Sequence, residues 1–229
     1  MEWYWILLIV LGSVLVWMLL STLLYKQFFK RFYDIVLSGL AIVVLSPFFL
    51  IVAILVMIKL GSPVIYSTIR IGKDNREFKL VKFRSMTNEK DTEGNLLPDT
   101  KRLTRFGRIL RATSIDELPE LLNIFAGKMS IIGPRPLPPI YLPYYTKEEL
   151  HRHDVKPGLS GWAQVNGRNS IKWDKKFQYD LEYVNHVSLF FDLKILFLTI
   201  KKVLIRDGIG QGEEHPGSLN EIRDKNTND

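Results

Sequence analysis

The sequence predicts a helix-dominated α+β protein with an N-terminal membrane helix, a re-entrant helix-break-helix and a small cytoplasmic domain that carries interfacial amphipathic helices. Three observations indicate this. Two uncharged runs, residues 3–24 and 35–58, fill most of the first 60 positions. Short alternating stretches typical of strands follow them. Apolar residues then return at 187–205, interspersed with charges, as in an amphipathic helix.

The first uncharged run is long enough to span a membrane. As a helix it would reach about 33 Å, against a hydrocarbon core of roughly 30 Å. Aromatic residues at 3–5 suit an interfacial anchor, and cations follow between 26 and 31. We therefore assign 1–25 to an N-terminal transmembrane helix whose end at residue 26 faces the inside. A cleaved signal peptide is the alternative, but no basic segment or small-residue cleavage site accompanies the run.

The second uncharged run lies in the segment 30–60 and contains Ser46 and Pro47 at its middle. Proline removes a helical hydrogen bond and clashes with the preceding turn, so we expect a break there. Each half would reach only about 18 Å. Cations flank both ends, which favours placing both ends inside. A helix-break-helix that enters and leaves the same leaflet fits both cues; a proline-kinked spanning helix is the alternative.

Residues 61–206 form the predicted cytoplasmic domain, and 207–229 a polar, frayed tail. The expected elements are strands at 64–71 and 78–83, helices at 105–110, 114–125 and 173–185, and a membrane-surface helix at 187–205. A buried helix is the alternative for that last segment. The polar stretch 87–102 is expected to be either a lid or disordered.

Net charge, cysteine content and histidine spacing limit the classes of function that the chain could have. The net charge of +7 suits nucleic acid, anionic lipid or phosphate-rich substrates. The chain has no cysteine, which excludes disulfides, thiol catalysis and cysteine-zinc sites. His151 and His153 have no third metal ligand spaced nearby, so we expect them at the surface.

Adjacent carboxylates at Asp116 and Glu117 are the central candidate site. With Ser114 they match a capping box, which is the simpler interpretation of Glu117. Their surroundings favour a ligand site instead, because loops rich in Gly, Pro, Asn and Arg follow. Arginine forks suit phosphate oxygens, and cations crowd the segment upstream: Arg70, Lys79, Lys82, Arg84, Lys101, Arg102, Arg105, Arg108 and Arg111.

Several motifs in a fixed order resemble those of the bacterial sugar transferases, the monotopic polyprenyl-phosphate phosphoglycosyl transferases. They are the Ser46-Pro47 pair, KFRSM at 82–86, RATSIDELP at 111–119, GPRP at 133–136 and KPGLSGWAQVNGR at 156–168. The resemblance runs from about residue 30 to 204 and implies that the Ser-Pro pair marks a re-entrant membrane helix. One departure is the stretch YSTIRIG at 66–72, where the family usually has a Gln before Arg-Ile-Gly.

The resemblance implies transfer of a sugar phosphate from a UDP-sugar to polyprenyl (undecaprenyl) phosphate, with release of UMP. Asp116 would be the nucleophile and bind Mg²⁺, and Glu117 would be a base for the incoming lipid phosphate. Covalent catalysis divides one difficult step into two. The implied substrate-binding residues are Arg111, Lys82, Arg84, Arg135, Gly158, Asn166, Arg168 and Asp180.

The same resemblance implies a catalytic domain on the cytoplasmic face of the bacterial inner membrane, at work in surface glycan or glycoconjugate synthesis. The expected partners are the lipid bilayer, the UDP-sugar and the polyprenyl phosphate, with no nucleic acid. Downstream glycosyltransferases or a second copy of the chain are further candidates. The missing Gln motivates a different hypothesis, a non-catalytic membrane scaffold of a glycan-assembly pathway.

Overall fold

A computed structural model describes residues 2–167, 171–205 and 217–227. It is a helix-dominated α+β structure, as the sequence predicts. The helices are α1 (Glu2–Leu23), α2 (Lys30–Leu60), α3 (Asp99–Arg102), α4 (Arg105–Ala112), α5 (Glu120–Phe125), α6 (Trp162–Val165), α7 (Trp173–Asn185), α8 (Leu189–Ile205) and α9 (Leu219–Thr227). The strands are β1 (Ile65–Ile71), β2 (Glu77–Phe83), β3 (Ser130–Ile132) and β4 (Gly158–Ser160).

The first two helices are long and apolar enough to cross a membrane by length and composition. A π-helical turn, Tyr25–Phe29, joins them. The side chains of α1 are almost all exposed, as are those on one side of α2. So large an exposed apolar surface is not tolerated in water, which makes this a membrane protein.

The predicted break does not divide α2 into two helices, because helical structure continues through Ser46 and Pro47. Proline is a common site of bending within a helix, and a bend at this position stays a prediction. Pro47 has no N–H to donate to the carbonyl of Val43, four residues earlier. The Ser46 hydroxyl donates to that same carbonyl at 2.8 Å. The serine thus satisfies the acceptor that the proline leaves unpaired, and the helix persists.

Helix α2 lies along the domain from one end to the other. Near its start, Lys30 Nζ donates to the carbonyl of Ile132 at 2.9 Å. Near its end, Val56 and Leu60 are buried in a cluster with Phe83 and Leu110. Between these points, further apolar residues of α2 pack against a second cluster built on β2 and α5. The 31 residues, about 46 Å of helix, therefore have both ends fixed to one body.

The two predicted strands, β1 and β2, form an antiparallel hairpin, with Tyr66 opposite Lys82 and Arg70 opposite Phe78. The other edge of β2 is closed by a side chain of α5. The Asn123 amide accepts from the Val81 N–H at 3.0 Å and donates to the Lys79 carbonyl at 2.8 Å. An amide that pairs like a strand residue fixes α5 against β2 and so sets the distance between their side chains.

Helix α8 has its apolar side outward, which agrees with the predicted amphipathic helix. Phe190 and Phe197 are 72% and 68% exposed. Asp192 on the opposite side is buried and accepts hydrogen bonds from Tyr25 and Tyr183. The side that faces the domain also buries the apolar Ile195, so the exposed phenylalanines form a second apolar surface, which suits a helix that rests against lipid.

Residues 87–102 form an ordered loop that ends in the short helix α3. Its ends are closed by the Thr87 N–H, which donates to the Arg102 carbonyl at 3.1 Å. Inside, the Asp91 carboxylate accepts from the backbone N–H groups of Glu93 and Asn95, and a bridge pairs Lys90 with Leu96. The expectation of disorder is therefore wrong for this stretch, because local polar pairing holds it together.

The predicted frayed tail is also corrected in part. Residues 217–227 include α9, and its Leu219 is completely buried. The rest of the predicted tail, residues 207–216 and 228–229, lies outside the described residues.

Candidate active site

Asp116 lies in a short turn between two helices. Residues Ile115–Glu117 form a single 3-10 turn, and α5 begins only at Glu120. The single helix expected at 114–125 is therefore wrong, because Pro119 cannot continue the hydrogen-bonding pattern of the turn before it. Ser114 has φ of 55°, the left-handed region that side chains rarely adopt, and its side chain forms no cap. The capping box is thus not formed; the Glu117 N–H bonds the Ser114 carbonyl instead.

Glu117 is held by two cations. Its Oε1 accepts from Lys82 Nζ at 2.7 Å and from Arg135 Nη2 at 2.8 Å. The same Lys82 ammonium lies 3.0 Å from Oε1 of Glu120, which is 3% exposed. Two carboxylates and two cations thus form one cluster. They come from strand β2, the turn after α4, the first residue of α5 and the segment after β3.

The two glutamates of the cluster differ in protonation. Burial alone would raise the pKa of Glu117, but the charges of Arg135 and Lys82 outweigh it and hold this pKa well below its usual range. Burial raises the pKa of Glu120 to about 7, and the neighbouring Glu117 charge adds to the rise that Lys82 opposes. The pKa shifts therefore favour the charged form of Glu117 and the protonated form of Glu120.

The Asp116 carboxylate is buried, yet it has no hydrogen bond or ion pair with any described residue. Burial, followed by the adjacent Glu117 charge, raises its pKa to about 6. The cations of Lys82, Arg111 and Arg135 are close enough to oppose that rise. A buried carboxylate with free oxygens in a cationic setting is available to attack or to bind a metal ion.

A pocket opens beside this cluster. Its lining residues are Arg70, Leu80, Lys82, Glu120, Arg135, Pro136 and Leu137. The Nε of Arg70 is buried and has no hydrogen-bond partner within the described ranges 2–167, 171–205 and 217–227. Burying an unpaired donor is costly, so a ligand that accepts from it is expected. Three cations around one pocket suit the oxygens of a diphosphate.

Arg70 and Glu120 were not among the predicted substrate-binding or catalytic residues. Both carried a usable signal. In an antiparallel hairpin, alternate residues share a face, so the register places Arg70 on the same face as Lys82. Glu120 lies three residues after Glu117, a spacing that brings side chains to one side of a helical segment.

Two of the predicted phosphate ligands have other partners. Arg111 Nε donates to the Ser85 hydroxyl at 2.9 Å, at the edge of the site. Arg84 is buried and donates to the Ser62 carbonyl at 2.8 Å, so it supports the turn between α2 and β1. The structure brings Arg111 near Asp116 but does not place Arg84 in the pocket.

Gly158 and Asn166 also lie outside the pocket. Gly158 begins β4, and a Cβ there would approach the Gly133 nitrogen to 2.0 Å. Glycine therefore permits the close backbone contact that positions the segment leading to Arg135. The Asn166 amide donates to the Trp162 carbonyl at 2.8 Å and ends α6. Arg168 lies outside the described residues.

Asp180 does not line the pocket and is connected to it through Arg152. Its Oδ2 accepts from Arg152 Nη2 at 2.8 Å and from Nε at 3.0 Å, and both side chains are buried. Arg152 Nη2 also donates to the backbone carbonyl of Arg135 at 2.8 Å. Asp180 therefore positions Arg152, and Arg152 positions the backbone that carries Arg135.

His153 was expected at the surface but is buried, whereas His151 is exposed. Arg152 can only donate, so the bond of 3.2 Å from its Nη1 requires a lone pair on His153 Nε2. The proton then sits on Nδ1, which donates to Asn75 Oδ1 at 2.6 Å. Burial, followed by the Arg152 charge, lowers the pKa of His153 to about 3.

This neutral histidine makes folding pH-dependent. The unfolded chain binds a proton at this site below its ordinary pKa of 6.5, but the folded chain does so only near 3. The free energy of unfolding therefore falls as pH drops below 6.5, by up to about 1.4 kcal/mol per pH unit. We expect His153→Gln to flatten this slope between pH 7 and 5, measured by denaturant unfolding in detergent.

The matched control for that experiment is His151→Gln, at a side chain that is 66% exposed. It should leave the slope as in the unmodified protein. An unchanged slope in His153→Gln would contradict the assigned role of the buried ring.

Comparison with known proteins shows what this arrangement is similar to. The family model of the bacterial sugar transferases matches residues 25–206. The chain is 50% identical over 182 residues to the uncharacterized sugar transferase EpsL of Bacillus subtilis (strain 168), across 80% of this chain and 90% of that protein. It is 35% identical over 196 residues to the exopolysaccharide production protein ExoY of Rhizobium meliloti (strain 1021), across 78% of this chain and 87% of that protein.

A longer relative is named for its reaction. The chain is 40% identical over 188 residues to the UDP-glucose:undecaprenyl-phosphate glucose-1-phosphate transferase of Escherichia coli (strain K12), across 77% of this chain but only 40% of that protein. The family match includes α2 to α8 and every residue of the pocket. The chain therefore belongs to the bacterial sugar transferase family.

Proposed function

We propose that this protein transfers a sugar 1-phosphate from a UDP-sugar to undecaprenyl phosphate, releases UMP, and so initiates a surface glycan or glycoconjugate. The observation that carries the proposal is the buried Asp116 carboxylate, which has no hydrogen bond or ion pair among the described residues and lies near Lys82 and Arg135 of a pocket with three cations. Relatives named as UDP-sugar:undecaprenyl-phosphate transferases support the substrate classes. Membership of the family supports a transferase of phosphorus-containing groups.

In the first half-reaction, an oxygen of Asp116 attacks the phosphorus that bears the sugar. A new oxygen–phosphorus bond forms, the diphosphate bond breaks, and its electron pair leaves with UMP. Attack by an anion on a charged diphosphate requires positive charge nearby. Lys82, Arg135 and the unpaired Nε of Arg70 supply donors for the diphosphate oxygens.

In the second half-reaction, an oxygen of the lipid phosphate attacks the same phosphorus and the Asp116 carboxylate is released. A phosphate monoester carries up to two charges near neutral pH. The low pKa of Glu117 makes it a weak proton acceptor. We therefore propose that Glu117 mainly orients Lys82 and Arg135. Glu120, with a pKa of about 7, is the better acceptor for any proton the lipid phosphate loses.

Mg²⁺ fits the site as a substrate-bound ion. The described residues contain no group of three or more acidic or histidine side chains that would hold a metal without substrate. Mg²⁺ commonly binds through one or two carboxylates together with substrate phosphates. The free oxygens of Asp116 provide such a carboxylate. When bound, the ion would supply positive charge at the diphosphate.

We also propose that α2 is re-entrant, with the domain on the cytoplasmic face of the inner membrane. Because the two ends of α2 contact the same domain, a helix that crossed the bilayer would draw polar parts of that domain through it. The polar groups of the site lie on this domain, and nucleotide sugars are cytoplasmic. Exposed apolar residues on α2 and α8 supply the surface for one leaflet.

The native chain lacks cysteine, which permits a direct test of this topology. We expect Glu2→Cys to react with a membrane-impermeant maleimide in intact cells, and Lys26→Cys and Ser62→Cys to react only after permeabilisation. Labelling of position 62, but not 26, from outside would show that α2 crosses the membrane and would refute re-entrance.

The reaction is tested by its product. Purified protein in nanodiscs, given undecaprenyl phosphate, Mg²⁺ and a panel of UDP-sugars, should release UMP with at least one donor and should stop when the metal is chelated. Release of UDP would indicate an ordinary glycosyl transferase. Absence of turnover with every donor, together with retained binding of glycan-assembly enzymes, would favour the scaffold hypothesis.

A further inference from the structure

The C-terminal segment 217–227 lies beyond the part of the chain that the family model matches, which ends at residue 206. It is nevertheless packed against the domain. Leu219 is completely buried in a cluster with Leu137 and Phe177. Aromatic side chains complete that cluster: Tyr141, Tyr144, Tyr145 and Trp173. Full burial of one leucine side chain contributes about 1.5–3 kcal/mol, enough to hold a short helix in place.

Polar contacts fix the orientation of this segment. Arg223 Nη1 and Nη2 donate to the two carboxylate oxygens of Glu149 at 2.7 and 2.6 Å, and Arg223 also donates to the Tyr144 carbonyl. Trp173 Nε1 donates to the Gly217 carbonyl at 2.9 Å. A two-pronged arginine–carboxylate pair is geometrically specific as well as strong, so the helix is held in one register.

Two routes lead from this segment to the pocket. The first is apolar: Leu219 packs on Leu137, which lines the pocket. The Leu137 carbonyl also accepts from the Ile71 N–H at 3.0 Å, beside Arg70. The packing of Leu219 therefore affects the position of Leu137 in the pocket wall. It also affects β1, the strand that carries Arg70.

The second route is through stacked cations. The Phe177 ring has the Arg223 guanidinium 5.6 Å from its centroid and the Arg152 guanidinium 5.8 Å from it. Arg152 holds the backbone carbonyl of Arg135. Both routes thus end on the segment 135–137, which contributes a cation and an apolar wall to the pocket.

We infer that residues 217–227 form a clasp that positions the pocket wall 135–137 and thereby strengthens binding of the diphosphate donor. The inference rests on the proposed function for the identity of the donor. Leu219 and Arg223 are positioning residues, since neither lines the pocket. The clasp acts on the donor side and not on the covalent chemistry at Asp116.

The test compares Leu219→Ala, Arg223→Ala and the conservative Arg223→Lys in the full chain, reconstituted in nanodiscs. Two quantities are measured: the Kd of UDP by calorimetry, and the KM for the UDP-sugar from UMP release. Both should rise about fivefold or more in the two alanine variants, while kcat and the KM for undecaprenyl phosphate stay within about twofold. Arg223→Lys keeps the positive charge but cannot make the two-pronged contact with Glu149, so its Kd for UDP and its KM for the UDP-sugar should rise by an intermediate amount.

The matched control is Glu221→Gln, an exposed position on the same helix, which should bind UDP like the unmodified protein. Unchanged UDP affinity in folded Leu219→Ala and Arg223→Ala would overturn the inference, even if their thermal stability falls. If Leu219→Ala does not fold, the UDP affinities of Arg223→Ala and Arg223→Lys test the inference. If the unmodified protein binds UDP without turnover, the proposed reaction fails and the clasp is still judged by UDP affinity.

Discussion

Asp116→Asn is expected to lower UMP release by roughly 10³-fold or more, because the amide removes the anion that attacks phosphorus while keeping the side-chain shape. Asp116 forms no hydrogen bond or ion pair with a described residue that the substitution would break. The folded structure should therefore survive, and the loss should appear in kcat. The measurement is UMP release in nanodiscs at saturating UDP-sugar and undecaprenyl phosphate.

A second measurement distinguishes loss of the nucleophile from loss of the site. With a radiolabelled sugar in the UDP-sugar and no lipid acceptor, the unmodified protein should retain label covalently and Asp116→Asn should not. Glu148→Gln makes the same chemical change at an exposed carboxylate and is the control. Retained label or undiminished UMP release in Asp116→Asn would refute the covalent mechanism.

The largest expected effect on stability is at the buried pair of Arg152 and Asp180. Asp180→Leu leaves a guanidinium buried without its anion, which typically costs about 3–5 kcal/mol. Unfolding in denaturant should report this loss in the detergent-solubilised protein. Surviving folded protein should also bind UDP more weakly, since Arg152 no longer fixes the Arg135 carbonyl.

A double substitution separates the pair from its surroundings. Arg152→Met with Asp180→Leu replaces both charges by apolar groups and should recover much of the stability that either single substitution loses. Asp99→Ala removes the partner of Arg102 in an exposed pair and should cost less than about 1 kcal/mol. A double variant as unstable as the sum of the singles would show that the two side chains act independently.

The parts of this structure that can be predicted from sequence are those marked by periodicity or by several motifs in a fixed order. The apolar runs of α1 and α2, the strands β1 and β2 and helix α7 follow from periodicity and are confirmed. The structure also brings together the side chains of Lys82, Glu117 and Arg135, and their roles stay predictions. These features depend on local pattern or on motifs that lie in a fixed order.

The predictions that the structure corrects concern positions where a second residue changes the effect of the first. Pro47 predicts a break, but only the structure shows the Ser46 hydroxyl on the carbonyl that the proline leaves unpaired. Ser114–Glu117 predicts a capping box, but Pro119 shortens the turn and Ser114 takes a left-handed conformation. The partner of Leu219 is some 80 positions earlier in the chain, so no local pattern could reveal the packing of a polar tail.

The attachment of α2 at both ends has a consequence for the lipid environment. A helix that spans a bilayer must match its thickness by tilting or by deforming the lipid. A helix fixed at both ends to one domain, re-entrant as proposed above, would have no such span to match, and mismatch would act on α1 alone. On that proposal, turnover should vary little between thin and thick bilayers, because protein packing instead of bilayer thickness sets the position of Asp116.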